Sequence, residues 1–272
     1  MAKHLFPAAR ADRRPGPWWY FGRAVYVSRR DYRKIFFAFL AVGIPLGAAG
    51  VLFKQPFLFR ASLIVAGIGL LLLIYSLIGL YRMYGHPSRR YLRRLLEMGG
   101  VAGSVAVADL HIGTYRHAYA LAGLLPEATV HTVDCWNVKG EAPEAAVADV
   151  RDLEPAPTHE PRIRPIRAEE FRLPLADASC DAVVFGFGTH EIPTGGPRET
   201  LFAEAQRVLR KGGRLLLFEH GYDFHNYLIF GPVIDHVTTR KEWRAFLDER
   251  FDDLQYRRSS HAVDLFAGRR RG

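Results

Sequence analysis

Histidines and carboxylates gather in three short stretches of the C-terminal half, where they could handle protons. "GTHEIP" supplies His190 and Glu191, "FEHGYDFHNY" supplies His220, Tyr222, Asp223 and His225, and "GPVIDHVTT" adds Asp235 and His236. A general base is needed only where an acceptor must lose a proton during attack, and His190 is the first candidate for it. None of these spacings matches a helix-borne or loop-borne metal motif, so no metal is expected. Further upstream, two acids close apolar runs: Asp109 in "VAVADLHIGTY" and Asp134 in "VHTVDCWN". In open α/β sheets ligands bind beyond the strand carboxyl ends, and an acid about 20 residues past the first turn bonds a ribose hydroxyl. The turn itself is short of glycine. Gly113 is present, but His111 and Tyr115 stand where two more glycines would be expected. A pyrophosphate needs those glycines for close backbone approach, so a dinucleotide is disfavoured and a ligand without phosphate is not.

These residues need a scaffold, and the hydrophobic pattern provides one. Short apolar runs predict strands at 104–108, 129–133, 163–167, 182–186 and 214–219, with a weaker pair near 252–258 and 262–267. Helical spacing falls between them, at 115–125, 143–151, 197–209 and 241–250. The expectation is an α/β fold: a Rossmann-like, mostly parallel seven-stranded sheet with helices on both faces.

The order of the pieces carries more information than any one of them. "RAEEFRLPLADASCDAVVFGFGTHEIP" followed by "EAQRVLRKGGRLLLFEHG" resembles the class I S-adenosylmethionine-dependent methyltransferases, over about Val105 to Glu219. In that family an acid precedes the turn, a second ends strand two, a third lies shortly before Leu-Pro, and "RVL-PGG" precedes strand five. Here the counterparts are Asp109, Asp134, Glu169 or Glu170, and "RVLRKGG". The resemblance implies S-adenosylmethionine as cofactor. Asp109 and the turn at Gly113–Thr114 would hold its amino-acid portion, and Asp134 would accept from the ribose hydroxyls; His111 and Cys135, beside them, are further candidates for the cofactor site. Glu169 or Glu170 would lie near the adenine, and Phe187 and Gly188 along the methionine side. His190, Glu191, His220 and Tyr222 are the candidates for work on the acceptor. Asp109 has a competing reading as a helix N-cap, and a positively charged His111 would oppose a sulfonium.

The N-terminal third is of another kind. From Ile35 to Tyr81 there is no Asp or Glu, and only Lys54 and Arg60 are basic. Two apolar runs, 35–53 and 61–81, each match the roughly 20 residues that cross a bilayer as a helix. The connector "KQPFLFR" is short enough only for a hairpin. Basic residues crowd both flanks, including Arg29, Arg30, Arg33, Arg89, Arg90, Arg93 and Arg94. This places both chain ends and the catalytic domain in the cytoplasm, with the hairpin in the inner membrane. The formal net charge of +9 resides in the first 81 residues, where anionic headgroups account for it. Nucleic acid is therefore not an expected partner; membrane lipids are. The aromatic cluster in "PGPWWYFGR" suits either the headgroup level or packing on the globular domain. Cys135 and Cys180 fit a reducing compartment. The expected organisation is a basic and aromatic flanking segment at 1–34, a hairpin at 35–81, a basic linker helix at 82–103 and a methyltransferase-like domain at 104–272.

A domain held at a lipid surface meets amphiphiles at high effective concentration, which points to a lipid-like acceptor such as a phospholipid headgroup or a quinone. "NYLIFGPVI" reads as a wall for such a molecule, a lid, or an ordinary core segment. Two other classes compete. A nicotinamide oxidoreductase would carry Tyr-x-x-x-Lys, and no tyrosine here has lysine four residues on. A methyltransferase-like membrane scaffold without turnover draws its support from the altered turn.

Overall fold

The computed structural model describes residues 6–85, 89–136, 145–169, 172–259 and 262–272. Glu170, and the side chains of Asp235 and His236, lie outside that description. Helix α1 (Pro17–Leu52) and helix α2 (Pro56–Leu80) form an antiparallel hairpin. Proline stands at the first turn of each, where its missing N–H costs nothing. Helix α3 (Arg89–Gly99) leads into the α/β domain. There follow β1 (Ala106–His111), α4 (Arg116–Leu124), β2 (Thr129–Asp134), α5 (Ala145–Arg151), β3 (Ile163–Arg167) and β4 (Cys180–Phe185). The chain continues through α6 (Pro197–Val208), β5 (Leu209–His220), α7 (Phe224–Phe230), α8 (Arg240–Asp248), β6 (Phe251–Arg258) and β7 (Val263–Arg270). The seven strands lie in the order β3-β2-β1-β4-β5-β7-β6, with β7 antiparallel to both neighbours and the rest parallel.

Strand alternation divides the core between the two faces. Leu216 and Phe218 of β5 point toward α3 and α4, where Tyr91, Leu92, Leu95 and Leu121 pack. Leu215 and Leu217 point the other way, into a cluster with Leu201, Phe202, Trp243 and Leu247 of α6 and α8. Because β1 and β4 are adjacent, the segments after them emerge side by side at the sheet's carboxyl edge. The end of β5 emerges next to them.

Three local differences from the expected pattern matter. Strand β1 runs on through Asp109 to His111 rather than stopping at Ala108, and it stays paired with β2 up to Asp134. The flanking segment is not separate from the first span: α1 is one helix of 36 residues. "NYLIFGPVI" forms α7 and a following 3-10 turn, and it packs against α2. Ser76 of α2 donates to Ile229 O, and Tyr75 Oη lies 2.7 Å from His225 Nδ1.

Two helices are long and apolar enough to cross a membrane, α1 and the α2 segment reaching Gly85, and their apolar windows are only 6% and 11% buried within the protein. Phe36, Phe37, Leu63, Ile64, Leu70 and Leu71 all face outward. A core helix of a water-soluble protein hides such residues, so the hairpin is not buried in a soluble core. Tyr20 is buried against the domain, whereas Trp18 is exposed and packs on Tyr81 with ring centroids 4.9 Å apart.

Candidate functional site

A cavity of about 280 Å³ opens where the carboxyl ends of β1, β4 and β5 meet the domain-proximal half of α1. Small-molecule sites usually measure roughly 300–1,000 Å³. Its floor is Gly113, Thr114, Phe187 and Gly188; one wall is His190, Glu191 and His220; the opposite wall is Val27, Tyr32 and Ile35 of α1. Ile229 and Phe230 of α7 close the side toward α2. A second void of about 10 Å³ lies behind it, between His111, Cys135, Phe187 and Gly188. Gly188 has φ +106, and a Cβ there would come within 2.6 Å of Ile112 Cδ1, so the two strand-end segments approach as closely as they do only with glycine at that place.

The histidine in the turn has become its cap. His111 Nδ1 accepts the backbone N–H groups of Gly113 and Thr114 at 3.1 and 3.2 Å. An accepting Nδ1 puts the ring proton on Nε2, which is buried and has no partner among the described residues. Burial pushes the imidazole down to about 4, although Asp134 nearby pulls the other way, so the ring is neutral at physiological pH and does not oppose a cationic ligand. Thr114 Oγ1 in turn donates to Glu154 Oε2 at 2.8 Å, and Tyr20 Oη donates to the other oxygen at 2.7 Å. Arg23 Nη2 donates to Gly113 O at 2.6 Å. Two side chains of α1 therefore hold the turn.

Asp134 does end β2, beside His111, but it faces Arg151 rather than the cavity. Arg151 Nη2 and Nη1 donate to its two oxygens at 2.6 and 3.4 Å, and Trp136 N–H donates at 3.0 Å. Burial pushes this carboxyl up, but the Arg151 bonds prevail and hold it below the usual range. The Arg151 guanidinium also lies 4.4 Å from the centre of the Trp136 ring. Asp109 is fully buried in β1, where its Oδ2 accepts from Thr132 Oγ1 at 3.3 Å and its Oδ1 has no hydrogen-bond partner among the described residues. Burial pushes it up to about 7. It lines neither space and ties β1 to β2; it does not cap α4, whose N-cap is Tyr115. Cys135 is buried, with its thiol pushed up by that burial, and borders only the small void. Glu169 and Tyr222 are exposed away from the cavity.

The proton-handling group is compact. His190 Nδ1 lies 2.9 Å from Glu219 Oε2, and Nε2 lies 3.3 Å from Glu191 Oε1. Burial alone would favour the neutral ring, yet the two carboxylates outweigh it and raise His190 to about 10. Set between these two carboxylates, the His190 ring favours its imidazolium form. His220 stacks on Phe187 with centroids 4.2 Å apart and planes 4° off parallel, and its Nε2 lies 2.7 Å from Tyr84 Oη. Sequence reasoning missed Arg23, Tyr84, Arg151 and Glu154, all of which reach the site from elements outside the recognisable motifs. Only Arg23 carried any signal, as one basic residue among many.

Residues 109–217 match a family model described as a methyltransferase domain. Among curated relatives, the chain is 32% identical over 145 residues to the ubiquinone/menaquinone biosynthesis C-methyltransferase UbiE of Syntrophotalea carbinolica, covering 53% of this chain and 56% of that one. It is 27% identical over 175 residues to the demethylmenaquinone methyltransferase of Beutenbergia cavernae, covering 61% and 65%. The chain thus spans less than two thirds of the length of either relative. Among solved structures, a SAM-dependent methyltransferase from Aquifex aeolicus superposes with a TM-score of 0.51 at 17% identity, over 66% of this chain and 89% of that one. That likeness is one of fold.

Proposed function

We propose that this chain, which carries a methyltransferase domain at residues 109–217, is an S-adenosylmethionine-dependent methyltransferase of class I that methylates a lipid-soluble, quinone-like acceptor at the cytoplasmic face of the inner membrane. The observation that carries the reading is the single cavity bounded by the turn at Gly113–Thr114, by Phe187 and Gly188, and by the domain-proximal half of an apolar helix. The curated relatives are named for quinone methylation, which supports a flat, greasy acceptor over a phospholipid amine. The basic flanks of the hairpin support the orientation.

The polar groups at the edge suit the cofactor. An unpartnered buried Nε2 on His111 and an unpartnered buried Nε on Arg23 both sit beside the turn, and no phosphate cradle is built there. Gly113, Thr114, Phe187 and Gly188 would hold the methionine side, and Asp134 the ribose once it shares its oxygens with Arg151. Bound there, the cofactor supplies an activated methyl group on sulfur. The chain contributes position and charge. The stacked rings of Phe187 and His220 offer a flat apolar surface on which an aromatic acceptor can lie. Toward the reduced, hydroquinone form of such an acceptor, whose ring is the nucleophile, the His190 imidazolium would stabilise negative charge on a ring oxygen, and Glu191, which also lines the cavity, would take the proton that leaves. Holding two reactants in line supplies much of the rate by itself.

The test is incubation of membranes containing the full chain with methyl-labelled S-adenosylmethionine, followed by lipid extraction and mass spectrometry. Label in a prenylated aromatic fraction is expected. Label confined to phospholipid, or none in any fraction, would overturn the acceptor class or the turnover itself.

A further inference from the structure

We infer that Arg23, carried by the membrane-seeking helix and not by the sheet, is the counter-ion for the carboxylate of the cofactor's amino-acid portion, so that the cofactor site is complete only with α1 in place. The inference rests on the function proposed above and names the residue that the turn lacks. Three observations point the same way.

First, the turn has spent its own donors. The N–H groups of Gly113 and Thr114, which would otherwise meet an anionic group, both go to His111 Nδ1. Second, Arg23 is held at that same turn by its Nη2 bond of 2.6 Å to Gly113 O, and both residues line the cavity. Third, the guanidinium is under-used. Its Nε is buried with no hydrogen-bond partner among the described residues, and Glu154 acts on its charge through space rather than by a hydrogen bond. The buried acid beside the turn is Glu154, whose two oxygens already accept from Tyr20 and Thr114. A half-buried guanidinium whose buried Nε has no partner leaves a polar group that a ligand could complete. The missing group must be an acceptor, compact and preferably anionic. A carboxylate meets that need, and the planar fork of arginine matches its two oxygens.

A carboxylate could belong to the cofactor or to the acceptor, and the test separates them. Binding of S-adenosylhomocysteine and of 5′-methylthioadenosine, which has the same adenosyl group but no carboxylate, is measured by calorimetry on the full chain in detergent micelles, with no acceptor present. Arg23→Met should weaken S-adenosylhomocysteine about 10- to 100-fold, the range expected for one charge-assisted hydrogen bond, and leave methylthioadenosine within about twofold. Arg23→Lys keeps the charge but loses the fork, and should fall between; it also serves if the methionine variant fails to fold. Equal weakening of both ligands would overturn the inference in favour of a purely structural arginine. Unchanged S-adenosylhomocysteine binding with a raised KM for the acceptor would assign the arginine to the acceptor and overturn it too. A native chain that binds neither ligand would instead remove the cofactor reading on which the inference stands.

Discussion

Glu219→Gln tests the electrostatic core of the site. Glu219 is fully buried and faces His190, whose own side chain is almost hidden. In the native fold His190 is raised to about 10, against about 6.5 for a free imidazole. At roughly 1.36 kcal/mol per pKa unit the difference approaches about 5 kcal/mol, shared between Glu219 and Glu191. Breaking a buried pair by removing one partner usually costs about 3–5 kcal/mol. We expect Glu219→Gln to lose about 2–4 kcal/mol near neutral pH, with Glu191 retaining the remainder. The sign follows from linkage. A histidine whose folded pKa lies above its unfolded one stabilises fully below about 6.5, and this stabilisation fades as pH rises through about 10. Thermal unfolding in detergent from pH 6 to 10 should therefore show the gap between native chain and variant narrowing toward alkaline pH. NMR of labelled imidazole should show no titration of His190 between pH 5 and 9 in the native chain, and a titration entering that window in the variant. A native His190 that titrates near 6.5 would refute the arrangement, and with it the assignment of the base to Glu191.

Asp109→Asn should improve or preserve stability at neutral pH. The native carboxyl is raised to about 7 by burial, so the fold loses stability as pH climbs from about 4, where the unfolded acid ionises, to about 7; the variant should flatten that slope in a pH series of thermal unfolding. Asp134→Asn should weaken S-adenosylhomocysteine about tenfold or more, since a hydrogen bond to a charged group is worth about 1.5–3 kcal/mol; calorimetry would read it, and unchanged affinity would remove Asp134 from the ribose site. Val27→Trp should fill the cavity from the α1 side, raising KM for a lipid acceptor several-fold while leaving S-adenosylhomocysteine affinity within about twofold. An unchanged KM would mean the acceptor does not pass along that wall.

Much of the sheet was legible because its pattern is local. The run 163–167 appears as β3 with its expected limits, and β2 ends on Asp134, one residue beyond the expected 129–133. The βαβ order gave the seven strands, but no periodicity could say that His111 would turn its ring back onto the next two amides. That depends on χ angles and on burial. The setting of His190 was half legible for a related reason. "THE" shows a histidine beside a glutamate, but the second carboxylate, Glu219, arrives from another strand and favours the charged ring. Exposure of Glu169 and Tyr222 was equally invisible, because a motif fixes the order of residues and not the direction in which a loop presents them.

The largest gap between sequence and structure concerns the hairpin. Composition divides the chain into a greasy anchor and a balanced domain, and invites the view that the first merely tethers the second. The contacts argue otherwise. Arg23 reaches Gly113 across 90 positions, and Tyr20 reaches Glu154 across 134. Both reside on the helix whose later turns carry Phe36 and Phe37 outward. One rigid element thus has a polar end in the motif turn and an apolar end suited to hydrocarbon, so a force on either is felt at the other. On the other side α2 holds α7 through Ser76 and Tyr75, and α7 supplies Ile229 and Phe230 to the cavity. The two apolar helices therefore bear on the cavity, α1 directly and α2 through α7. On the function proposed above, an acceptor dissolved in a bilayer would slide along α1 to the strand ends without crossing water, which would give the hairpin a chemical reason to be fused to this fold.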